Sequence, residues 1–144
     1  MPSNSAASTD PDNTIPVPAA LQGRDPILVV IPMPADTNAN GDIFGGWLLA
    51  QMDLAAGAKA YMFTKGNPVK TRAISEIEFH KPVYVGDRVS IYGAVTKVGT
   101  TSLTIKIESW VLRRKDMNYE KVTEGVFTMV AVGSDGRPVP VRKG

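Results

Sequence analysis

The clearest pattern in the chain lies between Phe44 and Ala60, where FGGWLLAQMDLAAGAKA contains neither a β-branched residue nor a proline. Its Leu, Ala and Met residues are good helix formers, and they predict an α-helix running to about Phe63. Asp42 is placed to cap its start, and Gly66-Asn67-Pro68 supplies a stop. Through Ala58 the only polar side chains are Gln51 and Asp53, so the helix is apolar almost all round and is expected to be enclosed.

On both sides of this helix the periodicity is that of strands. Ile27 to Ile31 is a β-branched run closed by Pro32-Met33-Pro34, which predicts a short strand with a rigid exit. After the helix, residues 69–81 alternate imperfectly, and Lys81-Pro82 predicts an edge or a bend. Val89, Ile91, Gly93 and Val95 then share one face, as do Leu103, Ile105, Ile107 and Val111 after the turn at Gly99. In the last strand Val122, Val126, Val130 and Val132 oppose Phe127, Met129 and Ala131, so both faces are candidates for burial. Four long strands joined by turns after one helix predict an α+β fold with an antiparallel sheet. A helix of about 25–30 Å matches such strands in length, so a curved sheet can wrap it lengthwise; a flat sandwich with the helix across one face is the alternative.

Length and composition narrow this picture. The chain has 144 residues, enough for one domain with its own core. Seven of the eleven prolines fall in residues 1–34, mixed with Ser, Ala, Asn and Asp. Residues 1–26 are therefore expected to be a flexible tail, 27–133 the folded domain, and 134–144 a second flexible tail. No cysteine is present, which excludes a disulfide framework, cysteine-ligated zinc and a thiol nucleophile. His80 is the only histidine, so no histidine-cluster metal site is expected. The net charge of +2 is not gathered into a basic footprint, and the densest run is Arg113-Arg114-Lys115, so no nucleic-acid partner is expected. The start lacks a leader pattern and no apolar run reaches membrane-spanning length; a soluble cytoplasmic protein is expected.

Asp53 is the sharpest candidate for chemistry, because it stands on an apolar helix face among Leu49, Met52, Ala56 and Gly57. A carboxylate there reads either as a desolvated general base or nucleophile, or as a structural acid bonded to amides or a tyrosine. Ahead of the helix, Asn38-Ala39-Asn40-Gly41-Asp42-Ile43-Phe44-Gly45-Gly46 predicts a tight loop whose N–H groups converge on an oxyanion or anion, unless the glycines serve close packing. His80 reads as a surface or structural group with a catalytic role as the alternative, Glu76 and Glu78 as a solvated face or a carboxylate pair, and Trp47 and Trp110 as packing or interface groups rather than stacking platforms. Arg72, Lys97, Arg113 and Arg114 are cations that read either as phosphate contacts or as solubility charges on strands and turns.

The string from Met33 to Gly57, MPADTNANGDIFGGWLLAQMDLAAG, resembles the bacterial YciA-type acyl-CoA thioesterases of the hotdog-fold superfamily. The likeness continues through Phe79-His80-Lys81-Pro82-Val83-Tyr84-Val85-Gly86-Asp87, Lys97-Val98-Gly99-Thr100-Thr101-Ser102 and Val126 to Val132. It implies a long central helix wrapped by a curved antiparallel sheet, a paired double hotdog with active sites between protomers, and a trimer of dimers. It further implies hydrolysis of acyl-CoA, with coenzyme A entering only as part of substrate and product and no metal or other cofactor. The family's catalytic acid maps onto Asp53, its assisting Asn or Asp onto Asp42, and its carbonyl-polarising amides onto Gly45 and Gly46. Asn38, Asn40 and Phe44 would border the substrate, Lys97, Gly99, Thr100, Thr101 and Ser102 would contact coenzyme A, and Arg72 or Arg114 its phosphates. A non-catalytic acyl-CoA-binding or regulatory protein of the same fold is the alternative, and a dehydratase or isomerase a third reading. The sequence departs from close relatives at Ser75, Glu76 and Glu78, where the resemblance implies an acid one place earlier, and in its extended amino-terminal segment.

Overall fold

A computed structural model describes residues 15–141. Its elements are a short strand β1 (Leu28–Val30), the helix α1 (Gly45–Phe63) and four long strands, β2 (Val69–Phe79), β3 (Arg88–Val98), β4 (Ser102–Leu112) and β5 (Tyr119–Ala131). They form one antiparallel sheet in the order β1-β3-β4-β5-β2. The helix is about 28 Å long and the 11-residue strands about 36 Å, so α1 lies within the sheet and packs against all four long strands. The expected α+β architecture, a central helix wrapped by an antiparallel sheet, is the one observed.

The core lies between α1 and the concave face. Leu48, Met52, Ala55, Ala56 and Ala60 from the helix meet Val89, Ile91, Leu103, Ile105, Ile107, Val111 and Phe127 from the strands. Small residues at positions 55, 56 and 60 let the helix axis approach the larger strand side chains closely. The helix ends at Phe63, and Gly66, at φ +97, turns the chain and donates its N–H to the Tyr61 carbonyl at 3.0 Å.

Two expectations are corrected. Phe44, not Asp42, occupies the cap position, and no side chain caps the helix; the Asp42 carboxylate is instead held by Asn38. The helix is not enclosed within one chain, because the sheet covers one side and leaves Leu54, Tyr61 and Met62 exposed at 63%, 55% and 73%. Contacts also reach beyond residues 27–133. Ala19–Leu21 form a 3-10 turn with Leu21 buried, while Arg24 lies over the Tyr92 ring and reaches Glu108 on the outer sheet face. At the other end, Val139 and Val141 donate to the carbonyls of Ala131 and Thr100. Apolar anchors too sparse to show a period pin both segments. The rest of the expected tails, residues 1–14 and 142–144, lies outside the described residues.

β2 is an edge strand, paired with β5 on one side only. Its imperfect alternation has a structural cause: register shifts between Thr71 and Ala73 and between Ser75 and Glu78, with Glu76 at φ +53.

Candidate active site

The chain entering α1 is tied down at nearly every step. Asn38 N–H donates to the Asp42 carbonyl at 2.7 Å, and its Nδ2 donates to Asp42 Oδ1 at 2.6 Å. Its own Oδ1 accepts from Asn40 N–H at 2.8 Å, and its carbonyl from Gly41 N–H at 3.1 Å. Ile43 N–H is given to the Val83 carbonyl and Phe44 N–H to the Asp36 carbonyl. The loop's donors are therefore largely spent on its own fold, which corrects the expectation of an amide cluster within it. Gly45 and Gly46 are different. Their N–H groups belong to the first helical turn, whose donors have no partner within the helix, and no side chain caps them.

Gly45 borders a cavity of about 290 Å³ lined also by Ile43, Leu48, Phe79, His80 and Pro82. The Phe79 ring stands 3.3 Å from where a Cβ on Gly45 would lie, so any larger residue there would displace the ring. His80, distant in sequence from the helix start, is brought to its edge, with Nε2 2.8 Å from Glu124 Oε2. Glu124 also meets Lys121 at 2.9 Å and Lys106 at 3.4 Å, and these partners, Lys121 first and His80 second, pull its pKa down to about 2. Ligand atoms of Glu78, His80 and Glu124 lie within 4.8 Å of one another, an arrangement sequence spacing does not reveal because Glu124 comes from the neighbouring strand.

Asp53 sits two turns further along α1. It is half-buried rather than enclosed, and its Oδ1 accepts a hydrogen bond from Thr71 Oγ1 on β2 at 2.5 Å. Thr71 went unnoticed in sequence because its place in β2 carries no motif. The carboxylate borders an open cleft of about 550 Å³ between α1 and the β2–β5 edge, walled by Leu54, Gly57, Tyr61, Val69 and Met129. Gly45 and Asp53 are eight residues apart on one straight helix, about 12 Å, too far for both to touch one carbonyl group.

The predicted phosphate-contacting groups divide between the two ends of the sheet. Lys97, Gly99, Thr100, Thr101 and Ser102 lie at the β3–β4 turn, closed by Gly99 N–H to the Ser102 carbonyl at 2.8 Å, near the start of β2 and its exposed Arg72. Arg114 lies beside Gly86 at the opposite end, with the whole of β4, about 35 Å, between. One chain cannot bring both to the same phosphate. Arg113 is not a free cation: it is 4% exposed, donating to Asp87 at 2.7 Å, Glu120 at 2.6 Å and the Pro82 carbonyl at 2.9 Å.

Comparison with known proteins agrees with the fold. The family model of the thioesterase superfamily matches residues 40–117. The acyl-CoA thioester hydrolase YciA of Escherichia coli strain K12 is 44% identical over 118 residues, 79% of this chain and 88% of that protein. A hexameric thioesterase from Yersinia pestis superposes with a TM-score of 0.78 at 43% identity, covering 85% of this chain and 98% of its own. A hexameric broad-specificity acyl-coenzyme A thioesterase, solved with one aspartate replaced by alanine, gives 0.78 at 42% identity, covering 81% and 86%.

Proposed function

Because the chain belongs to the thioesterase superfamily, with the hotdog fold of the YciA-type acyl-CoA thioester hydrolases, we propose that it hydrolyses acyl-CoA thioesters to the free acid and coenzyme A in a soluble, cytoplasmic setting. The observation that carries this reading is the Asp53 carboxylate, oriented by Thr71 at the mouth of an apolar cleft. Asp53 takes a proton from water as the water oxygen attacks the thioester carbon, or attacks that carbon itself to give a mixed anhydride that water hydrolyses to the free acid once the sulfur has left. Gly45 and Gly46 N–H groups stabilise the oxyanion. The C–S bond then breaks, and the coenzyme A sulfur leaves and takes up a proton.

The 12 Å between Gly45 and Asp53 supports a site assembled from two chains. Pairing the free edges of β2 about a two-fold axis reverses the partner and carries its helix start toward Asp53, covering Leu54 and Tyr61 as it does so. Three such dimers give a hexamer. Asp42 acts by holding the loop through Asn38, and the Lys97–Ser102 turn with Arg72 receives coenzyme A.

Thiol release from a panel of acyl-CoAs tests the assignment. Asp53→Asn keeps the shape and the Thr71 contact but removes the base, and its turnover is expected to fall at least a hundredfold. Full turnover in that variant would overturn the role of Asp53. Tight acyl-CoA binding by the wild type without thiol release would favour the non-catalytic reading.

A further inference from the structure

Gly57 lies in the middle of α1, where glycine is among the poorest helix formers, and nothing in the chain requires it: a Cβ added there meets no atom within 4 Å. Its missing side chain opens instead onto the cleft beside Asp53, one turn beyond the carboxylate. Tyr61 follows one turn later on the same face and lines the cleft, its hydroxyl near the Gly66 turn. Past the carboxylate and Thr71 the walls are apolar, with Leu54 on the helix and Val69 and Met129 on the strands.

We propose that this cleft receives the acyl chain of the thioester, and that Gly57 and Tyr61 set the chain length it accepts. This rests on the hydrolase reading above. The cleft runs along α1 from Asp53 past Gly57 to Tyr61, so an alkyl chain whose thioester carbon is within reach of Asp53 follows it, with the partner that covers Leu54 and Tyr61 closing its outer side. The run from Asp53 to Tyr61 is about 12 Å, which suits a medium-length chain. Gly57 is the point where the channel is bare backbone, so a side chain there shortens it. Tyr61 is the end wall, so truncating it lengthens the channel.

The experiment measures kcat/KM for acetyl-, octanoyl- and palmitoyl-CoA with wild type, Gly57→Leu and Tyr61→Ala, each checked for assembly by light scattering. Gly57→Leu is expected to lower the octanoyl-to-acetyl ratio at least about tenfold, and Tyr61→Ala to raise the palmitoyl-to-octanoyl ratio by a similar factor, because each methylene in an apolar pocket is worth about tenfold or more in discrimination. Calorimetry with the non-hydrolysable octyl thioether of coenzyme A, against coenzyme A alone, reads the same selectivity without turnover. Wild type that binds the thioether but releases no thiol would overturn the hydrolase reading and leave the calorimetric ratio to decide this one. Unchanged ratios in both variants would overturn the proposal. So would a Gly57→Leu protein that dissociates and loses activity equally for every chain length, which would assign Gly57 to contact between subunits.

Discussion

Glu124 faces Lys121, His80 and Lys106, and its pKa, about 2, lies well below the 4.5 of an unperturbed glutamate. Between those values the unfolded chain binds a proton that the folded chain does not, so the stabilisation is complete above about 4.5 and is lost as pH falls through about 2. The thermal midpoint of Glu124→Gln is expected to fall below that of wild type at neutral pH and to converge with it as pH approaches 2. A constant gap across that range would show that the glutamate acts by packing. None of this cluster was legible in the sequence, since it joins three strands through cross-strand pairing. Asp53 was legible, because a carboxylate in an apolar helix needs an explanation wherever it occurs. Its partner Thr71 was not: the two are 18 positions apart and meet only through the reversal from α1 into β2.

At the scale of elements, α1 and the four long strands follow from local pattern, and the observed bounds of Gly45–Phe63 sit within one residue of those expected. The cap was misread, since an aspartate before a helix signals a cap only if its side chain turns back to the helix, and Asn38 competes for it at 2.6 Å. The loop's amides were misread for a related reason: Val83 and Asp36, which accept from Ile43 and Phe44, are tertiary neighbours. Arg113 supports this junction from behind. It holds the Pro82 carbonyl and the buried Asp87, and the next carbonyl, Val83, receives Ile43 N–H. Arg113→Met leaves Asp87 buried without its counter-charge and is expected to cost about 3–5 kcal/mol in chemical denaturation. A loss within about 0.5 kcal/mol, the size of an ordinary surface substitution, would show that water replaces the guanidinium.

At the scale of the whole molecule, the uncovered side of α1 and the unpaired edge of β2 are two aspects of one incompleteness. Both face the side where Asp53 meets Thr71. Ile74, partly exposed in the middle of β2, pairs with Phe127 on the covered side of the strand. Ile74→Lys is tolerated by the single chain but opposes strand pairing across the free edge. It is expected to yield a smaller particle by light scattering and to lose most thiol release, whereas an intact oligomer with full turnover would exclude a site shared through β2. The sequence by itself determined the helix, the strands, the central acid and the family, because periodicity, helix propensity and a contiguous motif are local properties. Only the tertiary structure decided which loop amides remain unspent, that Thr71 orients Asp53, and that the cleft runs past Gly57. Those depend on which strand the helix lies against and on which distant groups meet the loop, and a linear pattern carries neither until the chain closes on itself.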